Sequence, residues 1–181
     1  MSIKSVCVYC ASNRESPEKM RKLAREVGAG LAQRNIGLVY GGASIGMMGQ
    51  IADAALEAGG VVTGVIPEGL DIGEIKHDGL TKLIVTRNMH ERKQKMFELS
   101  DAFVALPGGL GTLEETLEVM TWKYLGIHIK PVIVLNYEGY FDHLLAQFEH
   151  CARHGLMRNG LEKLWKVCQD TEELFSAISI E

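Results

Sequence analysis

The chain has 181 residues, of which 46% are hydrophobic and 23% are charged, and this length and composition predict a single globular domain over residues 1–181. The formal net charge of −4 gives no overall attraction to nucleic acid or to an acidic membrane, so any anion-binding site must be local. No apolar run approaches the ~20 residues of a membrane helix, and the chain opens on KSVCVYC without a signal-peptide pattern, so we expect a cytoplasmic protein that binds neither nucleic acid nor membrane.

Seven short apolar runs alternate with segments of helical period along the chain. In order they are SVCVYC, IGLVYG, VVTGVI, KLIVT, DAFVAL, PVIVLN and LWKVCQ. Strands this apolar, when helices join them, are typical of a parallel sheet that is covered on both faces. The pattern therefore predicts an α/β fold, in which a ligand would bind beyond the carboxyl ends of the strands.

The first strand carries two cysteines, and a helix follows it. Cys7 and Cys10 are three residues apart and would point to opposite faces of a strand, which predicts buried, reduced thiols rather than a metal site or a disulfide. Residues 17–35 have helical period, with Ser16 as the predicted N-cap and Pro17 as the first helical residue. The apolar stripe of this helix comprises Met20, Leu23, Ala24, Val27 and Leu31.

A first glycine-rich turn, YGGASIGMMG at residues 40–49, follows the second strand and opens a helix. Met47 stands where a Walker A loop has its phosphate-binding lysine, and the first strand leads into CASN rather than GxGxxG. Both facts argue against ATP hydrolysis and against a dinucleotide cofactor. The glycines serve either close packing of helix on sheet or close approach of the backbone to a ligand. Ser12, likewise, either lines a cleft or simply ends the strand.

Beyond an irregular loop predicted over residues 67–81, two cations interrupt the apolar stripe of a helix. The stripe has i, i+3, i+4, i+7 spacing and comprises Met89, Arg92, Lys93 and Met96. Burying an unpaired charge costs several kcal/mol, so these cations need an anion or a route to water. Either their stems lie on apolar surface with the charged heads in solvent, or Arg92 lies in a cleft where it meets a phosphate, a nucleobase or Glu115.

A second glycine-rich turn, LPGGLGTLEETLEVMTW at residues 106–122, also runs from a strand into a helix. Such a turn offers backbone amides and a positive dipole end to an anion, yet Glu114, Glu115 and Glu118 follow it at once. One explanation is a capping box, in which Thr112 caps the helix and Glu115 reaches back to the Thr112 amide. The other explanation is that Glu115 is a functional acid that faces a different part of the ligand.

The helix after this turn is predicted to have apolar residues on two sides. At about 100° per residue, the stripe expected to face the sheet comprises Leu113, Leu117, Met120 and Tyr124. The opposite side is expected to comprise Glu115, Val119, Trp122 and Leu125. A second copy of the chain would cover that side, which predicts a homodimer with Glu115 near its interface. The alternative is a scatter of exposed apolar residues, against which Trp122 counts.

Three segments together resemble one protein family. Pro107 to Glu115 matches the motif PGGxGTxxE, and the chain also contains GGASIGMMG and MHERK. With its length and order of elements, the chain resembles the LOG ("Lonely guy") family of cytokinin-activating phosphoribohydrolases over essentially its whole length. The resemblance implies a Rossmann-like, three-layer homodimer that hydrolyses the N-glycosidic bond of a nucleoside 5′-monophosphate, either AMP or a cytokinin riboside monophosphate. The products would be adenine or a free cytokinin base and ribose 5-phosphate.

The resemblance also implies the residues of the site. Glu115 and Arg92 would be the catalytic pair. The substrate-binding positions would be Glu74, Arg92, Lys93, Gly108, Gly109, Leu110, Gly111, Thr112, Leu113, Glu114 and Thr121. No cofactor is implied. No metal is expected either, because the i, i+4 pair His150 and His154 lacks a third ligand.

The implied chemistry suits these residue types. Breaking a ribosyl–purine bond builds positive charge on the sugar, which a carboxylate stabilises while it orients or deprotonates water. Arg92 would either help the base leave or position the substrate and Glu115. A non-catalytic nucleotide-binding or carrier module is the alternative from another class. The label lysine decarboxylase, which some relatives carry, is disfavoured because no motif for a lysine bearing pyridoxal phosphate is found.

Overall fold

The computed structural model describes residues 3–70, 76–157 and 160–179. In these residues seven strands form one parallel sheet in the order β4-β3-β2-β1-β5-β6-β7. The strands are β1 Ser5–Tyr9, β2 Gly37–Tyr40, β3 Val62–Pro67, β4 Lys82–Thr86, β5 Ala102–Ala105, β6 Val132–Leu135 and β7 Lys166–Cys168. The helices are α1 Glu18–Gln33, α2 Gly46–Glu57, α3 Met89–Glu98, α4 Leu110–Tyr124, α5 Asp142–Arg153 and α6 Thr171–Ser179.

The sheet is covered by helices on both faces, as the apolar runs predicted. Each of the seven runs coincides with one strand, and β3 extends one residue beyond its run, to Pro67. One buried cluster joins the sheet to α1, α2 and α6, and a second joins the other face to α3, α4 and α5. Because strand residues alternate between faces, Cys7 belongs to the second cluster and Cys10 to the first. Both are free, buried thiols, so that prediction is confirmed.

Helix α1 confirms its predicted stripe but not its predicted cap. All five stripe residues are buried. The helix begins at Glu18, and Pro17 occupies the cap position with an extended ψ of 146°. The Ser16 hydroxyl donates instead to the carbonyl of Asn13 at 2.6 Å. The cap prediction was wrong because this hydroxyl is satisfied by the preceding loop rather than by a helix amide.

Helix α4 also begins earlier than its sequence indicated. Its first residue is Leu110 and its cap is Gly109, so Thr112 lies inside the first turn. The capping box is therefore wrong: Thr112 is not the N-cap, and the Glu115 carboxylate accepts a hydrogen bond from Arg92. Glycine is acceptable at a cap position, which removes the need for a threonine there.

The face that α4 turns inward differs from the predicted stripe. Its buried residues are Thr112, Glu115, Thr116, Val119 and Met120, whereas Leu117 and Tyr124 are exposed. Polar residues can face the sheet here because they have partners: the Thr116 hydroxyl donates to the Thr112 carbonyl at 2.6 Å. Met120 is buried and Leu113 packs against the second cluster, as predicted, but a hydrophobic period cannot register polar pairs and so missed Thr112, Glu115 and Thr116.

The order of the strands creates a crevice at one edge of the sheet. β1 lies between β2 and β5, so the chain builds outward from β1 to β4 and then returns to continue on the other side of β1. At such a switch point the loops after the neighbouring strands separate and leave room for a ligand. None of the helices in the described part of the chain has the length and hydropathy that crossing a bilayer requires.

Candidate active site

Both glycine-rich turns face one cleft beyond the carboxyl ends of β1, β2, β3 and β5. The cleft has a volume of about 500 Å³. Its lining comprises Cys10, Ser12, Asn13, Gly41, Ala43, Ile45, Met48, Ile66, Pro67, Leu70, Met89, Arg92, Gly109, Leu110, Gly111, Thr112 and Glu115. Ser12 therefore lines the cleft rather than merely ending the strand. Of the glycines in the first turn, Gly41 lines the cleft, where backbone approach to a ligand is possible.

A buried ion pair forms one wall of the cleft. The Arg92 guanidinium donates from Nη1 to Glu115 Oε1 at 2.7 Å and from Nε to the Val65 carbonyl at 3.0 Å. Arg92 is 7% exposed and Glu115 is 5% exposed. A Cβ on Gly41 would lie 2.4 Å from Arg92 Nη2, so the glycine leaves the space through which the guanidinium reaches the cleft.

The start of α3 fixes where Arg92 projects. The Asn88 side chain caps α3 by accepting the Glu91 amide at 2.9 Å, and Met96 packs into the core one turn beyond Arg92. Arg92 therefore points inward, as the stripe predicted, and its charge is met by Glu115. Of the alternatives that the sequence left open, the structure shows the one in which Arg92 lies in a cleft and meets Glu115.

Burial and the nearby guanidinium act in opposite directions on Glu115. Burial raises the pKa of the Glu115 carboxyl, the Arg92 charge and hydrogen bond lower it, and the net pKa is above the ordinary value. A carboxylate in this setting is a better proton acceptor than an exposed one and is still stabilised in its charged form by a neighbour. Such tuning is typical of functional sites.

Lys93 lies outside this cleft, between two carboxylates of α4. Its ammonium donates to Glu114 Oε1 at 2.5 Å and to Glu118 Oε1 at 2.9 Å. Burial lowers the pKa of Lys93, but the two carboxylates more than offset it and raise the pKa overall. Lys93 thus ties α3 to α4 one residue beyond the Arg92–Glu115 pair.

The second glycine turn presents the amino end of α4 to the cleft. The first amides of a helix have no intrahelical acceptor, and here those of Leu110, Gly111 and Thr112 lie in residues that line the cleft. The Leu113 amide donates to the Gly109 carbonyl at 3.0 Å, which is a helical bond of this first turn. This end of the helix is suited to an anion.

The structure brings together about half of the implied site residues. The cleft lining includes Arg92, Gly109, Leu110, Gly111, Thr112 and Glu115. It does not include Gly108, Leu113, Lys93, Glu114 or Thr121 among the described residues. The Thr121 hydroxyl donates to the Leu117 carbonyl at 2.7 Å on the outer side of α4, about 13 Å along the helix from Thr112. Glu74 lies outside the described residues.

The loop over residues 67–81 borders the cleft with both of its described ends. Pro67 and Leu70 line the cleft, and Lys76 pairs with Ala43 of the first glycine turn. His77 contacts Asp53 of α2 at 3.0 Å. The sequence predicted this loop and the turn that contains Gly41 and Met48, but it did not single out Asn13, which follows β1 and also lines the cleft.

An apolar surface remains exposed on α4 and the loop after it. It comprises Leu117, Tyr124, Leu125, Ile127 and Ile129. Trp122, expected on the covered side, instead packs edge-on against the ring of Phe97, with centroids 5.1 Å apart. Elsewhere, the described residues contain no group of three or more His, Cys, Asp or Glu side chains that could hold a metal ion.

Comparisons with known proteins give consistent results. Residues 48–178 match a family model described as "Possible lysine decarboxylase". A protein of Rhodococcoides fascians named cytokinin riboside 5′-monophosphate phosphoribohydrolase is 47% identical over 176 residues, which cover 97% of this chain and 89% of that protein. A protein of Arabidopsis thaliana that also bears this name is 47% identical over 85% of this chain and 72% of its own length.

Solved structures share the fold at lower identity. A molybdenum cofactor binding protein from Rippkaea orientalis has a TM-score of 0.73 at 22% identity and covers 98% of this chain and 96% of its own. The Moco carrier protein of Chlamydomonas reinhardtii has a TM-score of 0.72 at 24% identity, with 96% and 94% coverage. These likenesses confirm the Rossmann-like α/β fold.

Proposed function

The chain belongs to the LOG family of cytokinin riboside 5′-monophosphate phosphoribohydrolases, and from this premise we propose that it hydrolyses the N-glycosidic bond of AMP or of an N6-modified AMP. The products are the free base, adenine or a cytokinin, and ribose 5-phosphate. The observation that carries the proposal is the buried Arg92–Glu115 pair beside the amide-lined amino end of α4. The resemblance implied these two residues as the catalytic pair, and their burial at the wall of the cleft supports the proposal.

The two parts of the site have separate tasks. The amides of the second glycine turn, Gly109 to Thr112, hold the 5′-phosphoryl group, as helix amino ends do for anions. Glu115 lies one turn further along the same helix and faces the ribose. Because the helix separates them by a turn, the carboxylate avoids direct repulsion from the phosphate. This arrangement answers why an acid follows an anion-binding turn.

The reaction proceeds by displacement at the anomeric carbon. Glu115 takes a proton from water, the water oxygen bonds to C1′, and the C1′–N9 bond breaks with its electron pair leaving on the purine, which then takes up a proton. The carboxylate also stabilises the positive charge that builds on the sugar. Arg92 holds Glu115 in place, favours its ionised form, and presents a donor on the cleft side.

Lys93 and Glu114 are proposed to support the site by contacting each other rather than the substrate. Their motif positions imply substrate contact, but in this chain the Lys93 ammonium is shared between Glu114 and Glu118. We propose that they hold α3 against α4 and so maintain the spacing of Arg92 and Glu115. Gly108 and Leu113 act in the same indirect way, as the supports on either side of the phosphate-binding amides.

The active form is proposed to be a cytoplasmic homodimer. The exposed apolar surface of α4 and its following loop is of the kind that a second copy would cover. Thr121 lies on the outer side of α4 amid these residues, so it reaches a cleft only if that cleft belongs to the partner. The proposed dimer thereby gives a role to Thr121, an implied substrate-binding residue that does not line the cleft of its own chain.

Two other functions receive less support. A non-catalytic carrier would have no use for an acid near the phosphate, and the carrier likeness is below 25% identity. The decarboxylase description requires a lysine for pyridoxal phosphate, and no lysine is found in the described lining of the cleft.

The deciding experiment follows free base and ribose 5-phosphate after incubation with AMP and, separately, with isoprenoid-modified AMP. Wild-type protein should release both products from at least one of them. Glu115→Gln keeps the side-chain shape and should lower turnover at least about 100-fold, the usual effect of losing a general base. Glu98→Gln removes an exposed carboxylate from α3 and should leave the rate unchanged. Wild-type turnover in Glu115→Gln would refute the catalytic assignment.

A further inference from the structure

Tyr140 makes a contact with the second glycine turn that the proposed reaction has not yet used. Its hydroxyl donates to the Gly108 carbonyl at 2.8 Å. The side chain is 46% exposed, so burial of its ring contributes little to the core. Neither the motif nor the cleft lining includes this residue, yet it is bonded to the backbone on which the phosphate-binding amides depend.

The segment that carries Tyr140 is held in an unusual conformation. Glu138 has a φ of 51° and Gly139 a φ of 71°, and a glutamate rarely adopts such a backbone. The Glu138 carboxylate pairs with Lys19 of α1. A segment that keeps a strained residue under several restraints is a candidate for a functional role.

Buried polar bonds fix the other end of the same segment. Asn136, which is buried, accepts the Phe141 amide at 2.7 Å and donates to Asp142 Oδ1 at 2.8 Å. The Phe141 ring packs edge-on against the Tyr140 ring, with centroids 5.0 Å apart. Tyr140 is therefore presented to the glycine turn by a preorganised support rather than by a free loop.

The direction of the Gly108 carbonyl also fixes the direction of the next amide. In a planar trans peptide the N–H points opposite to the C=O. Because the Gly108 carbonyl faces Tyr140, the Gly109 amide faces away from it, and Gly109 lines the cleft whereas Tyr140 does not. Gly108 lies close to the first turn of α4, since a Cβ there would lie 2.1 Å from Thr112 Oγ1.

We propose that Tyr140 is a positioning residue for the phosphate site: its hydroxyl sets the Gly108–Gly109 peptide so that the Gly109 amide faces the bound phosphoryl group. The identity of that group as the 5′-phosphate of a nucleotide rests on the proposed function. The positioning itself would affect the binding of any phosphate ester that occupies the turn.

The test uses Tyr140→Phe, which removes only the hydroxyl. Dissociation constants for ribose 5-phosphate and for adenosine are measured by calorimetry. Losing one neutral hydrogen bond that orients the site should weaken ribose 5-phosphate binding about threefold to tenfold and leave adenosine binding unchanged. For AMP, KM should rise by a similar factor at constant kcat, the signature of an interaction made equally in the ground and transition states.

A matched variant, Tyr137→Phe, removes a hydroxyl from the same segment and should change none of these quantities. Equal ribose 5-phosphate affinity in wild type and Tyr140→Phe would overturn the inference, as would an equal loss for adenosine, which would indicate a general disturbance. Wild-type protein that bound no ribose 5-phosphate would overturn it as well. Binding that is lost in Tyr140→Phe, in a protein that hydrolyses no nucleotide, would support the positioning role and refute the proposed function.

Discussion

At the level of single residues, Glu115 depends on one neighbour. It is buried, and its oxygen accepts the Nη1 donor of Arg92. Removing the guanidinium would leave a carboxylate that burial drives toward its neutral form. Gly41 is part of the same arrangement, because any side chain there would collide with the Arg92 head. Arg92 therefore opposes the effect of burial on the ionisation of Glu115, and Gly41 leaves the space that the Arg92 head occupies.

This environment predicts the pH dependence of the reaction. The proposed mechanism needs Glu115 ionised, and its pKa is raised above the ordinary value of 4.5 by burial, which the Arg92 charge only partly opposes. The rate should therefore fall as pH decreases through the raised pKa, with the midpoint of the acid limb above 4.5. The measurement is kcat/KM against pH, which reports ionisations of the free protein, and a midpoint of the acid limb below 4.5 would contradict the assignment.

The same pKa predicts the opposite trend for stability. A carboxyl whose pKa is raised by folding stabilises the fold fully below its unfolded pKa, and this contribution is lost as pH rises through the folded pKa. Thermal unfolding of wild type and Glu115→Gln at several pH values isolates the effect, because Gln does not titrate. The stability of wild type relative to the variant should decrease from acidic to neutral pH.

The sequence identified Arg92 and Glu115 but could not pair them with certainty. Arg92 is visible in the sequence as a cation on an apolar helical stripe, and Glu115 is visible as an acid that follows an anion-binding glycine turn. The rotation of α4 about its axis is not visible, because it depends on Thr112 and Thr116 facing the sheet. Gly41 was recognised as part of a turn, but the contact that requires a glycine there involves a residue 51 positions later.

At the level of elements, α3 and α4 are joined by two successive residues of α3. Arg92 reaches Glu115, and Lys93 reaches Glu114 and Glu118. The first pair is buried in the cleft, whereas the second lies at the surface between the helices. The surface contact can therefore be removed without altering the chemistry of the cleft directly.

Lys93→Met tests whether this contact holds the two helices together. Methionine keeps the apolar stem but leaves Glu114 and Glu118 as like charges at i, i+4. We expect a loss of about 1–2 kcal/mol, or roughly 2–8 °C in Tm, measured by thermal unfolding. Lys95→Met, which removes an exposed i, i+3 pair from the same helix, should shift Tm far less. An unchanged Tm with weakened ribose 5-phosphate binding would instead favour direct substrate contact by Lys93.

Strands were predicted more successfully than helix ends. Runs such as PVIVLN are apolar throughout, and a parallel sheet with two covered faces is the arrangement that buries them. Helix ends depend on which of several polar groups takes a given amide. Ser16 bonded to Asn13, and Gly109 replaced Thr112 as a cap, and neither outcome follows from the local sequence.

At the level of the whole molecule, the parallel order of the strands gathers the site. Every strand ends at the same edge, so turns that are about 65 residues apart in sequence face one cleft, as the sequence had led us to expect. The outer surface was harder to anticipate. The predicted interface relied on Trp122, but that ring packs on Phe97, so the exposed apolar surface consists of other residues of α4 and of the loop that follows it.

The corrected surface changes the test for the homodimer. Trp122→Glu would disturb the packing of α4 on α3, whereas Leu125, which is 63% exposed at the end of α4, can be replaced without opening the core. Leu125→Glu would place a charge in an apolar contact and should convert a dimer of the 19.9 kDa chain to monomers in sedimentation experiments. Leu156→Glu, at an exposed leucine outside this surface, is the control and should remain dimeric.

Activity in the monomer then decides whether the partner completes the site. If Thr121 acts on the cleft of the other copy, Leu125→Glu should lose activity together with the dimer, and Thr121→Ala should lower activity while the dimer persists. Wild-type sedimentation of Leu125→Glu would refute the interface, and full activity in a Leu125→Glu monomer would refute the partner's contribution. Each cleft would then depend only on the Arg92–Glu115 pair and the glycine turn of its own chain.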